Sequence, residues 1–468
     1  MGLMKNSKKN PMMMLPRLIP NAPGAFLVGG TVRDMLLGRQ PTDYDIAAPK
    51  PCEPLARKIA ENAGSRMIVL GKHDFSTYRI VSGELKFDVA TLEGESIYED
   101  LKRRDFTLNA LAWDLTKNRL IDIFNGMTDL KARRIRMVSE ENLRADPVRL
   151  LRAFRHAALL EFEIEAPTKA AITRHAGRIK HTAGERVKED LIKLLACPQS
   201  HFCLREMDET GLLTEIFDEL QPLKTCTQNA HHAFDAFEHT MAAYFQLEKL
   251  LRSLDTMFEK AAVLPKPLLH DPARLKLAML LHDIGKPRAR TTDKDGAVHF
   301  YNHETLGADM LRPISRRLKL SNEWSAYLDF IIRYHLRPLH LFMAHQQQTL
   351  TYKGLARFFM KSRSRAVGLL VHAMADARAK KNEERLTETF ERFCRDLVYA
   401  YLLDFAEKAK QPPLINGHDL IGELNLTPSP LFSKLLARIE EKRLAGRLQT
   451  RAEALEWIKN FIKRHNLT

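Results

Sequence analysis

Two neighbouring stretches decide the fold: Ala25-Phe26-Leu27-Val28-Gly29-Gly30-Thr31-Val32-Arg33-Asp34, and soon after it Asp43-Tyr44-Asp45-Ile46-Ala47. The first predicts a strand that ends in a glycine pair and turns into a helix. Paired glycines let backbone amides approach a phosphate closely. The helix start adds its positive end, and Arg33 adds a cation. Asp43 and Asp45 are two apart, so a strand places both carboxylates on one face. A third strand, LKFDVATL, brings Asp88 as a further oxygen ligand. Clustered carboxylates suit Mg²⁺ and phosphoryl or nucleotidyl transfer, in which one ion activates a hydroxyl and another steadies the leaving group. A lone glycine pair is usually only a turn, and a lone Asp-x-Asp a solvated loop. In this order, within residues 29–45, they point to a site.

Further along, Arg103-Arg104-Asp105-Phe106-Thr107-Leu108-Asn109 offers arginines that can clamp phosphates, with Asp105 and Asn109 able to bind a ribose or fix the arginines. The bland alternative is a salt-bridged turn. Then comes Asp146-Pro147-Val148-Arg149-Leu150-Leu151-Arg152-Ala153-Phe154-Arg155. Asp146 before Pro147 predicts an N-cap. Arg149, Arg152 and Arg155 share one helix face. Such a stripe is often plain surface, but here it can face a nucleotide.

Around these motifs lies a chain of 468 residues and 53.7 kDa, enough for about three domains or a few more small ones. Its 45% hydrophobic and 28% charged residues exclude a wholly disordered protein. The net charge of +15 favours a polyanionic partner such as nucleic acid. No apolar run approaches the roughly 18 residues of a membrane span, and Met12 to Met14 are cut off by Pro16 and Arg17. Five scattered Cys without a CxxC pair exclude a zinc ribbon or disulfide framework, so a reduced, cytoplasmic protein with no membrane partner is expected. Residues 1–22 are basic, Met-rich and Pro-punctuated, a loose arm. A mixed α/β pattern runs to about residue 120, and from Pro147 the pattern is almost purely helical. Pro/Gly punctuation at 263–272, 285–296 and 411–417 marks loops or boundaries.

GGTVRDMLLG, PTDYDIA, RRDFTLNALAWD, IDIFNGMTDL and DPVRLLRAFRHAA, in this order, resemble the bacterial-type (class II) tRNA nucleotidyltransferase and poly(A) polymerase family over residues 24–220. The resemblance implies an α+β chain. It would have a polymerase-β-like nucleotidyltransferase head at 23–145, then an all-α neck at 146–225, an HD-type body at 226–400 and a helical tail at 401–468 that touches tRNA. By that match Asp43, Asp45 and Asp88 are catalytic, and Asp43 and Asp45 hold Mg²⁺. Gly29, Gly30 and Arg33 would take the triphosphate. Arg104, Asp105 and Asn109 would take the nucleotide, with Arg152 and Arg155 alongside. Asp146 and Arg149 match the Asp-x-x-Arg pair that reads the incoming base without a template. The family's usual Glu before that Asp is Ala145 here. Lys188, in GERVKEDLIKLL, falls in what resembles the helix closing the neck.

A second series follows: His239, His282-Asp283, His303, His335 and Asp376. Any one of these histidines is more often a surface or satisfied core residue than a ligand. Together they suit a divalent transition metal or Mg²⁺, whose bound water can attack a phosphate ester. LLHDIGK and its surroundings resemble the HD phosphohydrolase superfamily over residues 230–380, which implies a possible second, phosphohydrolase activity. The tail from Pro412 to Ile458 resembles the C-terminal segment of HD-containing relatives. Its basic helices suit tRNA or simple packing equally.

Which nucleotide is added turns on one interval. Fourteen residues separate Asp88 from Arg103. Family members that build the full CCA carry a longer flexible loop here, and CC-adding members resemble this short form. The expected function is therefore a CCA- or CC-adding enzyme that uses CTP and ATP on tRNA, with a separate A-adding enzyme as partner if only CC is added. A poly(A) polymerase is the third reading. An HD phosphohydrolase acting on RNA ends, or an RNA-binding protein without catalysis, leaves the paired carboxylates unexplained. Recognition of tRNA by shape and strong salt dependence are expected.

Overall fold

The computed structural model describes residues 17–71, 76–227, 235–258, 264, 272–380 and 384–465. Most of the expected N-terminal arm and of the 263–272 loop lies outside them. The chain divides into two compact units, Met1–Ile216 and Phe217–Thr468.

The first unit opens with a seven-stranded mixed sheet. Its strands are β1 (Phe26–Val28), β2 (Asp43–Ala48), β3 (Met67–Leu70), β4 (Thr77–Ser82), β5 (Leu85–Thr91), β6 (Leu111–Asp114) and β7 (Arg119–Asp122). They lie in the order β3-β4-β5-β2-β1-β6-β7. Only β2 and β5 pair in parallel; the other neighbours are antiparallel. The expected strands around Val28, Asp43 and Asp88 are all present.

Strand alternation sorts the side chains into two faces. On one, Tyr44, Ile46, Ile80, Phe87 and Val89 are at most 1% exposed, and Tyr44 stacks on Phe87 at 5.3 Å. The helix Glu53–Asn62 packs on β3, β4 and β5 through Ala56, Ile59 and Ala60. The other face carries Asp43, Asp45 and Asp88. Its β1–β6–β7 half, with Phe26, Val28, Ala112 and Ile121, and Ala47 of β2 beside it, is covered by Ile97 and Leu101 of the helix Ile97–Lys102.

Among the described residues, the rest of the unit is helical, apart from a small parallel pair of Arg134–Ile135 and Glu163–Ile164. The helix Val148–Leu160 buries Leu150, Leu151, Phe154 and Leu160, and packs on the helices Gly184–Ala196 and Ser200–Glu209. Asp146 is not its N-cap. The cap position is Pro147, without a side-chain hydrogen bond, and the Asp146 carboxylate accepts from Arg186 instead, at 2.8 Å. An arginine within reach outcompetes the weaker backbone donors.

Among the described residues, the second unit is helical apart from a small hairpin of Arg290–Thr292 and Val298–Phe300. The helix Ala366–Arg378 is apolar on nearly every side and buried along most of its length. It is the central element that such a sequence predicts. It packs against Ala236–Arg252, Ala273–Leu281 and Asn322–Tyr334. The C-terminal helices Gly417–Gly422, Pro430–Leu444 and Arg451–His465 share a separate small core of Ile415, Leu420, Leu435, Ile439, Leu448, Ala454 and Ile458.

Candidate active site

Asp43 and Asp45 stand on the second strand of the sheet, and Asp88 is directly opposite Asp45 on β5. Thr31, one residue past the glycine pair, ties this strand down. Its hydroxyl donates to the Asp43 carbonyl at 3.2 Å and accepts from the Asp45 amide at 2.8 Å. The glycine turn and the carboxylates are thus one rigid piece.

Cations already attend two of the three carboxylates. Arg79, opposite Asp88 on β4, donates Nε to Oδ1 at 2.7 Å and Nη2 to Oδ2 at 2.8 Å. Lys86 lies 2.9 Å from the Asp43 carboxylate. Burial raises the Asp45 carboxyl above the ordinary range; Arg104 opposes this, and Asp88 and Asp43 add to it. Crowded carboxylates of this kind are the donors a hard divalent cation relieves, so the set fits Mg²⁺.

Gly29 has φ +64°, and a Cβ there would lie 2.8 Å from Arg104 Nη1 and 3.8 Å from Asp45 Oδ2. Only glycine meets both demands. Gly29→Ala is expected to lower stability by more than about 1 kcal/mol and to push Arg104 out of place. Thermal denaturation and the nucleotide KM will show it; unchanged values for both would contradict the strain.

Arg104 is held by Asp100, whose Oδ2 accepts from Nε at 3.0 Å and Nη2 at 2.8 Å. Asp105 and Asn109 are buried, at 6% and 8% exposure, and they fix arginines. Asn109 Oδ1 accepts from Arg33 Nη1 at 2.8 Å, and its Nδ2 donates to Asp105 Oδ1 at 3.0 Å. Asp105 Oδ2 accepts from Arg152 Nη1 at 3.2 Å. Burial works against the Asp105 charge, but Arg152, the Asn109 amide and the Phe106 N–H hold its carboxyl below the ordinary range. Asp190 takes Arg155, and lies 3.7 Å from Arg152. Burial, with Arg155 and Arg33 nearby, drives His156 well below its ordinary value. As a neutral ring it lies 3.1 Å from Asn109 Nδ2 and 3.0 Å from Arg155 Nη2.

These groups border a cleft of about 230 Å³ lined by Glu93, Asp100, Arg103, Arg104, Asp105, Arg149 and Arg152. Arg149 and Asp146 stand 3.6 Å apart. The sequence-predicted residues of the first unit therefore form two adjoining groups, a carboxylate row and an arginine-lined cleft.

In the second unit, His239, His282 and Asp376 form one triad of potential metal ligands, and Asp283, His303 and His335 form another. Among the described residues, these are the groups whose donor atoms converge within 4.8 Å. The head carboxylates are not among them. His282, His303 and His335 each place Nδ1 2.7–2.8 Å from the carbonyl three residues earlier, those of Met279, Phe300 and Ile332. That contact fixes the ring so that Nε2 serves as the ligand atom. The mixed nitrogen and carboxylate set fits a borderline divalent ion.

The matches to known proteins follow this division. The chain matches the family models of the poly A polymerase head domain over 25–136, the RNA- and SrmB-binding site of polymerase A over 161–224, the HD domain over 236–386, and tRNA nucleotidyltransferase domain 2 over 340–458. It is 33% identical to an A-adding tRNA nucleotidyltransferase of Deinococcus radiodurans, across 95% of this chain and 97% of that one. The chain belongs to the tRNA nucleotidyltransferase family. A CC-adding relative from Thermus thermophilus is 34% identical, across 92% of both chains. The Thermotoga maritima CCA-adding enzyme complexed with tRNA shares the fold at a TM-score of 0.59 and 21% identity, over 94% of this chain and 91% of that one. Among the described residues, no helix is long and apolar enough to cross a membrane.

Several residues of this tRNA nucleotidyltransferase escaped the sequence reading: Arg79, Lys86, Asp100, His156, Asp190 and His372. Two left a signal. Asp190 and His156 each sit on the apolar stripe of an amphipathic helix, where a polar residue needs a buried partner. His372 lies one turn before Asp376 on the same helix, its ring 5.3 Å from that of His282. Arg79 and Asp100 left none, because their partners are set by sheet register and by a helix start.

Proposed function

We propose that this chain adds C residues to the 3′ end of tRNA, without a template, and stops at CC. The observation that carries the reading is the interval between Asp88 and Arg103. It is filled by the end of β5, a short turn and the helix Ile97–Lys102, whose Ile97 and Leu101 are core residues and whose Asp100 holds Arg104. A segment anchored at both ends leaves no long loop to reshape the pocket for a second base.

In this reading Asp43, Asp45 and Asp88 hold Mg²⁺. When bound, that ion activates the RNA 3′-hydroxyl and neutralises charge on the triphosphate. The Gly29–Gly30 backbone and Arg33 cradle the β- and γ-phosphates, and Arg104 meets the nucleotide. Asp105 and Asn109 keep the arginines in place. Asp146 and Arg149 match the edge of cytosine, whose amino group donates and whose N3 and O2 accept. Fixed arginines favour one geometry, which suits an enzyme with one base to select.

The test offers tRNA that ends at the discriminator base together with labelled CTP and ATP. A product two residues longer supports the reading. A product that also gains A contradicts it. An enzyme that extends only tRNA already ending in CC would instead be A-adding, as the Deinococcus relative is named. A CC-adding chain requires a separate A-adding enzyme in the cell. Binding should weaken steeply with salt, as phosphate contacts release counterions.

We also infer that the two triads of the second unit hold divalent metal. Such an ion, when bound, would activate water toward a phosphate ester. His282→Ala with Asp283→Ala is expected to abolish metal retention, measured by elemental analysis after gel filtration. Retention equal to the parent chain would contradict the assignment.

A further inference from the structure

The face that carries the carboxylates is only half covered. The helix Ile97–Lys102 lies over its β1–β6–β7 half. Among the described residues, the other half, formed by β3, β4 and β5, has no such cover at its outer strands. Strand register identifies what stands there. Ile68 is opposite Arg79, Arg79 opposite Asp88, and Asp88 opposite Asp45; in the next row Val81 is opposite Lys86, and Lys86 opposite Asp43. Ile68, Arg79, Val81 and Lys86 therefore share the face of the carboxylates, immediately beside them. Ile68 is 52% exposed and Val81 49%. Two exposed aliphatic side chains alternate here with two cations.

The geometry of the reaction gives this strip a use. Displacement at phosphorus places the attacking and leaving oxygens in line, on opposite sides of the transferred group. On the function proposed above, the triphosphate lies over the glycine turn at the end of β1, with Arg33 and Arg104, on one side of the carboxylate row. The attacking 3′-hydroxyl must then arrive from the other side, which is the β5–β4–β3 side. An RNA strand brought there meets the Lys86 ammonium and the Arg79 guanidinium first. Each has more N–H groups than its single carboxylate partner uses: an ammonium has three donors and a guanidinium five. Arg79 engages Asp88 through Nε and Nη2. Lys86 meets Asp43 through its one nitrogen, Nζ.

We propose that the strip Ile68, Arg79, Val81 and Lys86 seats the 3′-terminal nucleotides of the RNA being extended. Lys86 and Arg79 take the terminal phosphodiesters, while Ile68 and Val81 support the flat faces of sugar and base. The occupant is single-stranded RNA. The paired cations fit its backbone charge, and the aliphatic pair tolerates any base, as unstacked ends need. Arg79 has a second, positioning role. Its two-pronged hold fixes both oxygens of the Asp88 carboxylate, so the arrival of RNA and the setting of the third carboxylate are linked at one side chain.

The experiment measures steady-state CMP incorporation by the full chain, with tRNA and CTP varied separately. Five variants are compared: Lys86→Ala, Lys86→Arg, Arg79→Lys, and the surface changes Ile68→Glu and Val81→Glu, which place a negative charge on the strip without removing a buried group. Lys86→Ala and both Glu variants are expected to raise the KM for tRNA about tenfold, the worth of one charge-assisted contact. The KM for CTP should stay within about twofold of the parent. Lys86→Arg is expected to restore most of the loss. Arg79→Lys is expected to lower kcat as well, because the two-pronged hold on Asp88 is lost. A KM for tRNA unchanged in Ile68→Glu and Val81→Glu overturns the proposal, as does a rise confined to CTP. A parent chain that adds no nucleotide to tRNA overturns the function instead, so the two failures are distinct.

Discussion

Replacing both Asp43 and Asp45 by Ala is expected to reduce CMP incorporation by at least about 10³-fold, because the transition state then loses the groups that hold its metal ions. The fold should survive. Asp43 is 62% exposed at its side chain, and the strand is anchored through backbone contacts to Thr31 rather than through its carboxylates. Affinity for tRNA should change by no more than about twofold, since the loss of two negative charges removes no phosphate contact. Metal retention by the second unit should be unaffected, because the residues proposed to hold that metal are others. This pattern separates three kinds of protein. A nucleotidyltransferase loses addition and keeps RNA binding. A phosphohydrolase with an idle head has no addition to lose. A pure RNA binder shows no catalytic change. Addition that survives the double change would mean that the carboxylate row is not the reaction centre.

The largest expected effect on stability lies in the second unit. Lys276 and Glu248 are 1% and 0% exposed, and their charged groups meet at 2.7 Å. The pair joins the helix that carries His239 to the helix that leads into His282. Glu248→Ala would leave an ammonium buried without its counter-charge, and a loss of about 3–5 kcal/mol is expected. Replacing both residues by Met should recover much of that loss, since an apolar pair of similar volume fills the same space. Chemical denaturation of the three proteins checks this. A single variant as stable as the parent would mean that Lys276 finds another partner or sheds its charge. Metal retention should fall along with stability in Glu248→Ala, because the two ligand-bearing helices lose their tie.

How much of this was legible in the sequence depended on what each feature needed. The strand that carries Asp43 and Asp45 was readable from its own residues, because alternation is local. So was the helix with Arg149, Arg152 and Arg155, whose spacing fixes one face. Asp88 is legible only as a further oxygen ligand; register places it opposite Asp45. The assignment of Arg79 to Asp88 was beyond the sequence, since it depends on which residues of β4 and β5 face each other. Asp105 and Asn109 had two readings at the start, binding a ribose or fixing arginines. Their burial and their contacts with Arg33 and Arg152 show them fixing arginines. Asp146 does not cap the helix that follows it, since Arg186, far along the chain, competes for the carboxylate. The six candidate ligands of the second unit are legible as one series, from residue type and from the resemblance to the HD superfamily. Their division into two groups, and the backbone carbonyl that orients each of three histidines, needed the folded chain.

In the proposed arrangement the nucleotide lies on one side of the carboxylate row and the RNA end on the other, so that transfer is a single in-line displacement. The stereochemical course tests it most directly. The enzyme would transfer a nucleotide from CTP made chiral at the α-phosphorus by sulfur, and the configuration of the new phosphorothioate linkage in the RNA would be determined. Inversion is the predicted result. Retention would require two displacements through a covalent intermediate, and would contradict the arrangement derived from the sheet.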